Sequence, residues 1–193
     1  MDRHRIAIVI PALNERTTIA SVVNRVARYG TPIVVDDGSS DDTGALAFAA
    51  GAQVIRHQKN RGYDEALNSG FAFADTLDCA YVLTMDADGQ HDLGVIDAFI
   101  LALDGGADLA IGVRDRRQRL AEHVFAWVGA VKWGIRDPLC GMKAYRMSVY
   151  RELGYFDSYA SIGTELAIFA AKTGKKIVQM PIKTRNRADK PRF

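Results

Sequence analysis

Asp86 and Asp88 stand one residue apart in Tyr81-Val82-Leu83-Thr84-Met85-Asp86-Ala87-Asp88-Gly89-Gln90-His91, where a mostly apolar, β-prone run delivers two carboxylates and an amide to the mouth of a sheet. Carboxylates at alternate positions of a tight turn converge on one hard cation, and such cations are held by a few carboxylates plus substrate phosphate oxygens. The pattern therefore suits a magnesium-diphosphate site. Taken alone, Asp-Ala-Asp-Gly is equally an ordinary turn after a strand. A second acidic turn adds weight: Val34-Val35-Asp36-Asp37-Gly38-Ser39-Ser40-Asp41 also follows an apolar run and also leads into a helical pattern. Two acidic strand ends in one chain point to a single charged cleft.

The elements that must position these turns are legible from periodicity and punctuation. Strands are predicted at Arg5 to Ile10, Pro32 to Val35, Gln53 to Arg56, Tyr81 to Met85 and Asp108 to Val113. Helices are predicted from Thr17 or Thr18 to Tyr29, from Asp41 or Asp42 to Ala50, from Tyr63 to about Ala74, and from Leu93 to Leu103. Small residues on the third of these helices permit close approach to the sheet. The β-α alternation through residue 113 argues for an α/β fold with a mostly parallel central sheet flanked by helices, and ligands are expected at the carboxyl ends of its strands. Both acidic turns sit at such ends. The pattern then changes: Leu120, Val124, Trp127, Val128, Val131 and Ile135 recur at helical spacing. A stripe of this kind is ordinarily core, and its sharper reading is a surface helix pressed on lipid headgroups. A loop at Asp137 to Gly141, a strand Met142 to Tyr145, a helix Gly163 to Lys172 and a strand Lys176 to Met180 complete the chain.

Composition bounds the function classes. The 193 residues suit a single domain, in which 1–113 is expected to form a nucleotide-binding half and 114–193 an acceptor-side half. A net charge of +2 gives no argument for nucleic acid, and no nucleic-acid partner is expected. Basic residues nevertheless cluster at Arg114 to Arg119 and Lys183 to Arg192, which fits a phosphate-binding rim. Cys79 and Cys140 do not form a disulfide framework, and no run approaches the ~20 apolar residues of a spanning helix. The expected location is cytoplasmic, with membrane contact only at a surface.

Five elements stand in order: Pro11-Ala12-Leu13-Asn14-Glu15, Val35-Asp36-Asp37-Gly38-Ser39, Asn60-Arg61-Gly62 leading to Asn68-Ser69-Gly70, Asp86-Ala87-Asp88-Gly89-Gln90, and Asp137 to Arg146. That order resembles the family 2 glycosyltransferases of GT-A fold, and within them the polyprenyl-phosphate sugar synthases of the dolichol-phosphate mannose synthase type. The resemblance covers essentially the whole chain. It implies inverting transfer of a sugar from a UDP- or GDP-sugar donor to an acceptor, assisted by Mg2+ or Mn2+. It also implies roles: Pro11, Leu13 and Glu15 match the first nucleotide-contacting loop, and Val35 with Asp37 match the pair that receives base and ribose. Asp86, Ala87 and Asp88 match the signature carboxylate loop. Asp88 and Gln90 are the first choice as direct metal ligands, with Asp86 bridging through water or ribose. Arg114 resembles an arginine that faces the donor and acceptor phosphates, and Arg187 and Arg192 a late basic pair that closes over the diphosphate.

The chain departs from that pattern at Leu13, where many relatives carry an aromatic residue, and in the short linker from Arg114 to Asp137, which lacks a glycine-rich acceptor loop. Many relatives also carry membrane-spanning helices that are not expected here, so a lipid acceptor would be met at the membrane surface, through residues 120–135. A phosphate monoester, with a second pKa near ~6, needs no catalytic base, whereas a saccharide hydroxyl does. Asp137 and Glu165 are the candidates for that base, and Glu165 is equally a helix-start residue favoured by the dipole. A polyprenyl phosphate acceptor is the leading expectation and a soluble transferase acting on a saccharide hydroxyl the alternative. A phosphohydrolase would place its paired aspartates on an early strand, and a dinucleotide-binding oxidoreductase would carry a glycine-rich turn where Pro11 to Glu15 stands. A non-catalytic nucleotide-sugar-binding protein is the remaining alternative. The oligomeric state is not legible.

Overall fold

The computed structural model describes residues 5–89, 93–115 and 120–183. The elements in chain order are β1 (Ile6–Ala12), α1 (Ile19–Val26), β2 (Thr31–Asp36), α2 (Thr43–Ala49), β3 (Gln53–Arg56), α3 (Tyr63–Thr76), β4 (Tyr81–Thr84), α4 (Gly94–Asp104), β5 (Leu109–Arg114), α5 (Leu120–Trp133), β6 (Lys143–Arg146), α6 (Met147–Leu153), α7 (Glu165–Lys172) and β7 (Ile177–Ile182). The strands form one 7-stranded sheet in the order β3-β2-β1-β4-β6-β5-β7. β1 pairs in parallel with β2 and β4, β2 with β3, and β5 with β7. β6 runs antiparallel to both of its neighbours. The expected α/β architecture and mostly parallel sheet are therefore observed.

The strand sequences explain the layering. Every residue of β1 is buried, as is required of a central strand covered on both faces. Alternate residues feed two cores: Ile6, Ile8 and Ile10 pack with Ile19, Val22 and Val23 of α1 and with Ile96 and Phe99 of α4, while Ala7 and Val9 pack with Leu67 and Phe71 of α3 and Leu166 of α7. The second core is centred on aromatic rings. Phe71 lies 4.6 Å from Phe156 and 5.6 Å from Tyr145, the latter edge-on, geometries that add to simple area burial.

The helix boundaries carry some surprises. α1 stops at Val26, short of the expected Tyr29, and the hydroxyl of its N-cap Thr18 donates back to Glu15 instead of capping the helix. Asp42 occupies the N-cap of α2 without a side-chain cap bond, and it is Asp41 that accepts from the Thr43 N–H. α6 was not foreseen: it follows β6 without an intervening turn, so no punctuation marks its start.

α3 approaches the sheet closely because residue 70 has no side chain. A Cβ at Gly70 would lie 2.3 Å from Val9 Cγ1 and 3.3 Å from Val35 Cγ2. Alanine would gain about 1 kcal/mol of helix propensity, but overpacking a core of branched side chains costs about 1–3 kcal/mol and prevails. Gly70→Ala is expected to lower the urea unfolding midpoint with the slope unchanged.

Candidate active site

β2, β1 and β4 are neighbours, so their carboxyl ends lie side by side, and β1 extends past its last pairing with β4 to reach Ala12 opposite Asp36. The turns that follow are stitched together. The Asn14 N–H donates to Ser39 Oγ (2.9 Å), the Ser40 N–H to Asn14 Oδ1 (2.9 Å), and the Glu15 N–H to Thr43 Oγ1 (2.8 Å). Asn14 adopts a left-handed backbone with φ 54°, which asparagine tolerates better than most residues. Pro11 and Leu13 are buried in this seam, and Glu15 is buried with its Oε2 accepting from Thr18. The Val35 side chain is likewise inside, against the open flank of Gly70.

Asp37 is 0% exposed. Its carboxylate faces His57 Nδ1 at 2.6 Å and accepts from the N–H groups of Arg61 (3.0 Å) and Gly62 (2.8 Å). With Nδ1–H donating to that carboxylate, His57 Nε2 accepts from Ser69 Oγ at 2.9 Å. Asp37, expected to receive base and ribose, thus also holds the loop that leads into α3. Its neighbour Asp36 accepts from the Ser39 N–H and has Arg56 Nε at 3.6 Å from its other oxygen.

Asp86 leaves the end of β4 half-buried, beside a cleft of about 580 Å³ that is also lined by Tyr63, Asp64, Leu139, Cys140, Gly141, Lys143 and Ile162. The Tyr63 hydroxyl donates to Asp86 Oδ1 at 3.4 Å, and burial together with the Asp86 charge holds that phenol well above its ordinary pKa, so it stays a donor. Gly141 makes room for the carboxylate: a Cβ there would sit 2.5 Å and 2.7 Å from the two Asp86 oxygens. Thr84 Oγ1 fixes that approach by donating to the Gly141 carbonyl at 2.7 Å. Ala87 is buried, and Asp88 beyond it is half-buried on the same turn. Gln90, Arg187 and Arg192 lie outside the described residues. Burial and then Asp137 push the Cys140 thiol up to about 12, which keeps it protonated.

Lys143 and Asp64 in this region escaped sequence reasoning, and Asn68 was legible only as part of a motif. Lys143, 3% exposed, donates from Nζ to the Gly163 carbonyl at 3.0 Å; its signal was a lysine between the apolar Met142 and Ala144 where β6 begins. Asp64 and Asn68, one helical turn apart on α3, hold the loop before α7. Asp64 accepts from the N–H groups of Ile162 and Gly163, and Asn68 Oδ1 from those of Phe156 and Asp157. Burial and the nearby Asp157 raise the Asp64 carboxyl, which those N–H bonds partly oppose.

The two expected base candidates have partners of their own. Arg114 grips Asp137 bidentately, Nε to Oδ2 at 2.9 Å and Nη2 to Oδ1 at 3.0 Å, and its backbone N–H adds a bond to Oδ2 at 3.1 Å. Both side chains are mostly buried. Glu165 opens α7 and accepts from the N–H and hydroxyl of Ser158. Removing one partner of a buried pair leaves an uncompensated charge and costs about 3 kcal/mol or more. Asp137→Ala is therefore expected to destabilise the fold by about 3 kcal/mol in urea unfolding, while Glu165→Gln, at an exposed contact, changes it by less than about 1 kcal/mol.

Residues 7–124 match the profile of Glycosyl transferase family 2. An uncharacterized glycosyltransferase of Mycobacterium tuberculosis is 30% identical over 189 residues, covering 92% of this chain and 84% of that one. The polyprenol monophosphomannose synthase of Mycolicibacterium smegmatis is 31% identical over 203 residues, covering 92% of this chain and 76% of its own. Among solved structures, glucosyl-3-phosphoglycerate synthase from M. tuberculosis in complex with Mn2+ and UDP-glucose superposes with a TM-score of 0.76 at 26% identity, over 97% of this chain and 72% of that one. The sheet and the helices that flank it have the GT-A glycosyltransferase fold, and the chain belongs to glycosyl transferase family 2.

Proposed function

We propose that this glycosyltransferase moves a sugar, with inversion, from a UDP- or GDP-sugar to a polyprenyl phosphate. The observation that carries the reading is the occupation of both base candidates. A saccharide hydroxyl acceptor requires a general base within hydrogen-bond reach, whereas a phosphate monoester is largely dianionic at neutral pH and requires none. Asp137 is held on both oxygens by Arg114, and Glu165 by Ser158. An acceptor that arrives already ionised fits such a site. The relatives support the same class, since polyprenol monophosphomannose synthase and, from Haloferax volcanii, a dolichyl-phosphate hexose transferase are among them.

Two carboxylates on one turn fit a divalent cation. Asp86 and Asp88 offer hard oxygen ligands from one turn, and Gly141 leaves the Asp86 carboxylate the room it occupies. Mg2+ and Mn2+ suit such oxygen sites, ordinarily completed by substrate phosphates. Asp86 and Asp88 would hold the ion, which supplies positive charge to the diphosphate as it leaves. Tyr63 orients Asp86, and the seam of Pro11, Leu13, Glu15 and Asp37 frames the nucleotide side. Titration of UDP and GDP with and without Mg2+ is expected to show metal-dependent binding of one nucleotide, weakened at least about tenfold in Asp88→Ala. Full retention in the variant would refute the ligand assignment.

α5 supports acceptance from a membrane surface. Phe125, Trp127 and Val131 are 50%, 68% and 72% exposed, with Lys132 also exposed among them. Large apolar side chains beside a cation on one helix suit insertion at the headgroup level. Among the described residues no helix is long and apolar enough to cross a membrane. Co-sedimentation with anionic vesicles is expected for the wild type and to fall severalfold in Trp127→Ser/Val131→Ser with unchanged nucleotide affinity.

A further inference from the structure

We infer that Lys143 is the anion-binding residue of the cleft and receives the phosphate of the acceptor. The inference rests on the function proposed above and names the group that would select an anionic acceptor over its neutral counterpart.

Lys143 sits in the middle of the sheet, opposite Thr84 on β4 and Ile111 on β5. An ammonium has three donors. The Gly163 carbonyl takes one, and among the described residues Lys143 Nζ has no second hydrogen-bond acceptor and no carboxylate within ion-pair distance. A buried ammonium left in this condition is costly unless an anion completes it. Burial lowers its pKa, while the Asp137 and Asp86 charges favour its charged form and Arg114 opposes it.

Arg114, on the neighbouring strand β5, has its Nε and Nη2 engaged by Asp137. Lys143 therefore offers the unfilled donors, on a compact point charge that suits phosphate oxygens. Asp64 and Asp86 stand on other parts of the same wall, and their carboxylates would keep an anion on the lysine side. Leu139 and Ile162 line the same cleft and give apolar surface for the first carbons of a prenyl chain.

Phosphate oxygens also belong to the donor diphosphate, so the test must separate the two sources. Farnesyl phosphate and farnesol serve as acceptor probes, and UDP and GDP with Mg2+ as donor probes, for wild type, Lys143→Met and Lys143→Arg, with thermal unfolding measured for each. Lys143→Gln, which keeps a donor for Gly163, replaces the methionine variant if that one fails to fold. Lys143→Met is expected to raise the KM for farnesyl phosphate at least about tenfold, the loss of one charge-assisted hydrogen bond. Lys143→Arg is expected to restore most of it, nucleotide affinity to stay within about twofold, and farnesol to be rejected by all. An unchanged KM in Lys143→Met overturns the inference alone. Weakened nucleotide binding with an unchanged acceptor KM assigns the lysine to the donor and also overturns it. Wild type that binds nucleotide but neither binds nor glycosylates farnesyl phosphate overturns the proposed function, and the inference with it.

Discussion

A carboxylate with no access to water, Asp37, organises the site. Left unpaired, a buried charge costs several kcal/mol, about 3–5 by the usual measure of broken pairs, so its donors are obligatory. Here they are the His57 ring and the N–H groups of Arg61 and Gly62, all from the segment between β3 and α3. Satisfying Asp37 therefore sets where α3 begins. The first turn of α3 carries Tyr63 to Asp86 and Asp64 to the N–H groups of residues 162 and 163, and the next turn carries Asn68 to residues 156 and 157. His57 closes the circuit through Ser69, on the same helix. One charge at the end of β2 thus positions both the carboxylate turn of β4 and the rim of the cleft.

The cations divide the remaining work. Arg114 and Lys143 lie on adjacent strands, yet a planar guanidinium fork and a point ammonium are not interchangeable. The fork matches the Asp137 carboxylate and locks the segment between α5 and β6 against β5. The ammonium bonds a single carbonyl, Gly163, which belongs to the loop that Asp64 also holds. The cleft is consequently built from both halves of the chain: Tyr63, Asp64 and Asp86 from the first, Gly141, Lys143 and Ile162 from the second.

Most of the fold was legible because its cues are local. Apolar runs marked the strands, although β1 passes the expected stop at Pro11 to reach Ala12, and helical spacing marked α1, α3, α4 and α7 within a few residues. The acidic turns after β2 and β4 were legible for the same reason, and both lie at the carboxyl ends of strands that flank β1 in the sheet. α6 left no such cue, since Met147 continues directly from Arg146. The partners inside the site were illegible because they are remote in sequence: Asn68 bonds a residue 89 positions away and Asp64 one 99 positions away. Residue type alone made Asp137 and Glu165 look available for proton transfer. Only the folded chain brings Arg114 and Ser158 to their oxygens.

The antiparallel strand β6 has a bearing on how the protein is made. It lies between β4, which ends at Thr84, and β5, which ends at Arg114, and bonds to both along its length. During synthesis β4 and β5 leave the ribosome well before Lys143, each with an edge that awaits a strand not yet translated. Unpaired edges are templates for intermolecular pairing, and non-local pairing of this kind slows folding. Between the emergence of β5 and that of β6 these edges are open together, and β5 keeps another until β7 follows, so that interval exposes the most unpaired strand edge.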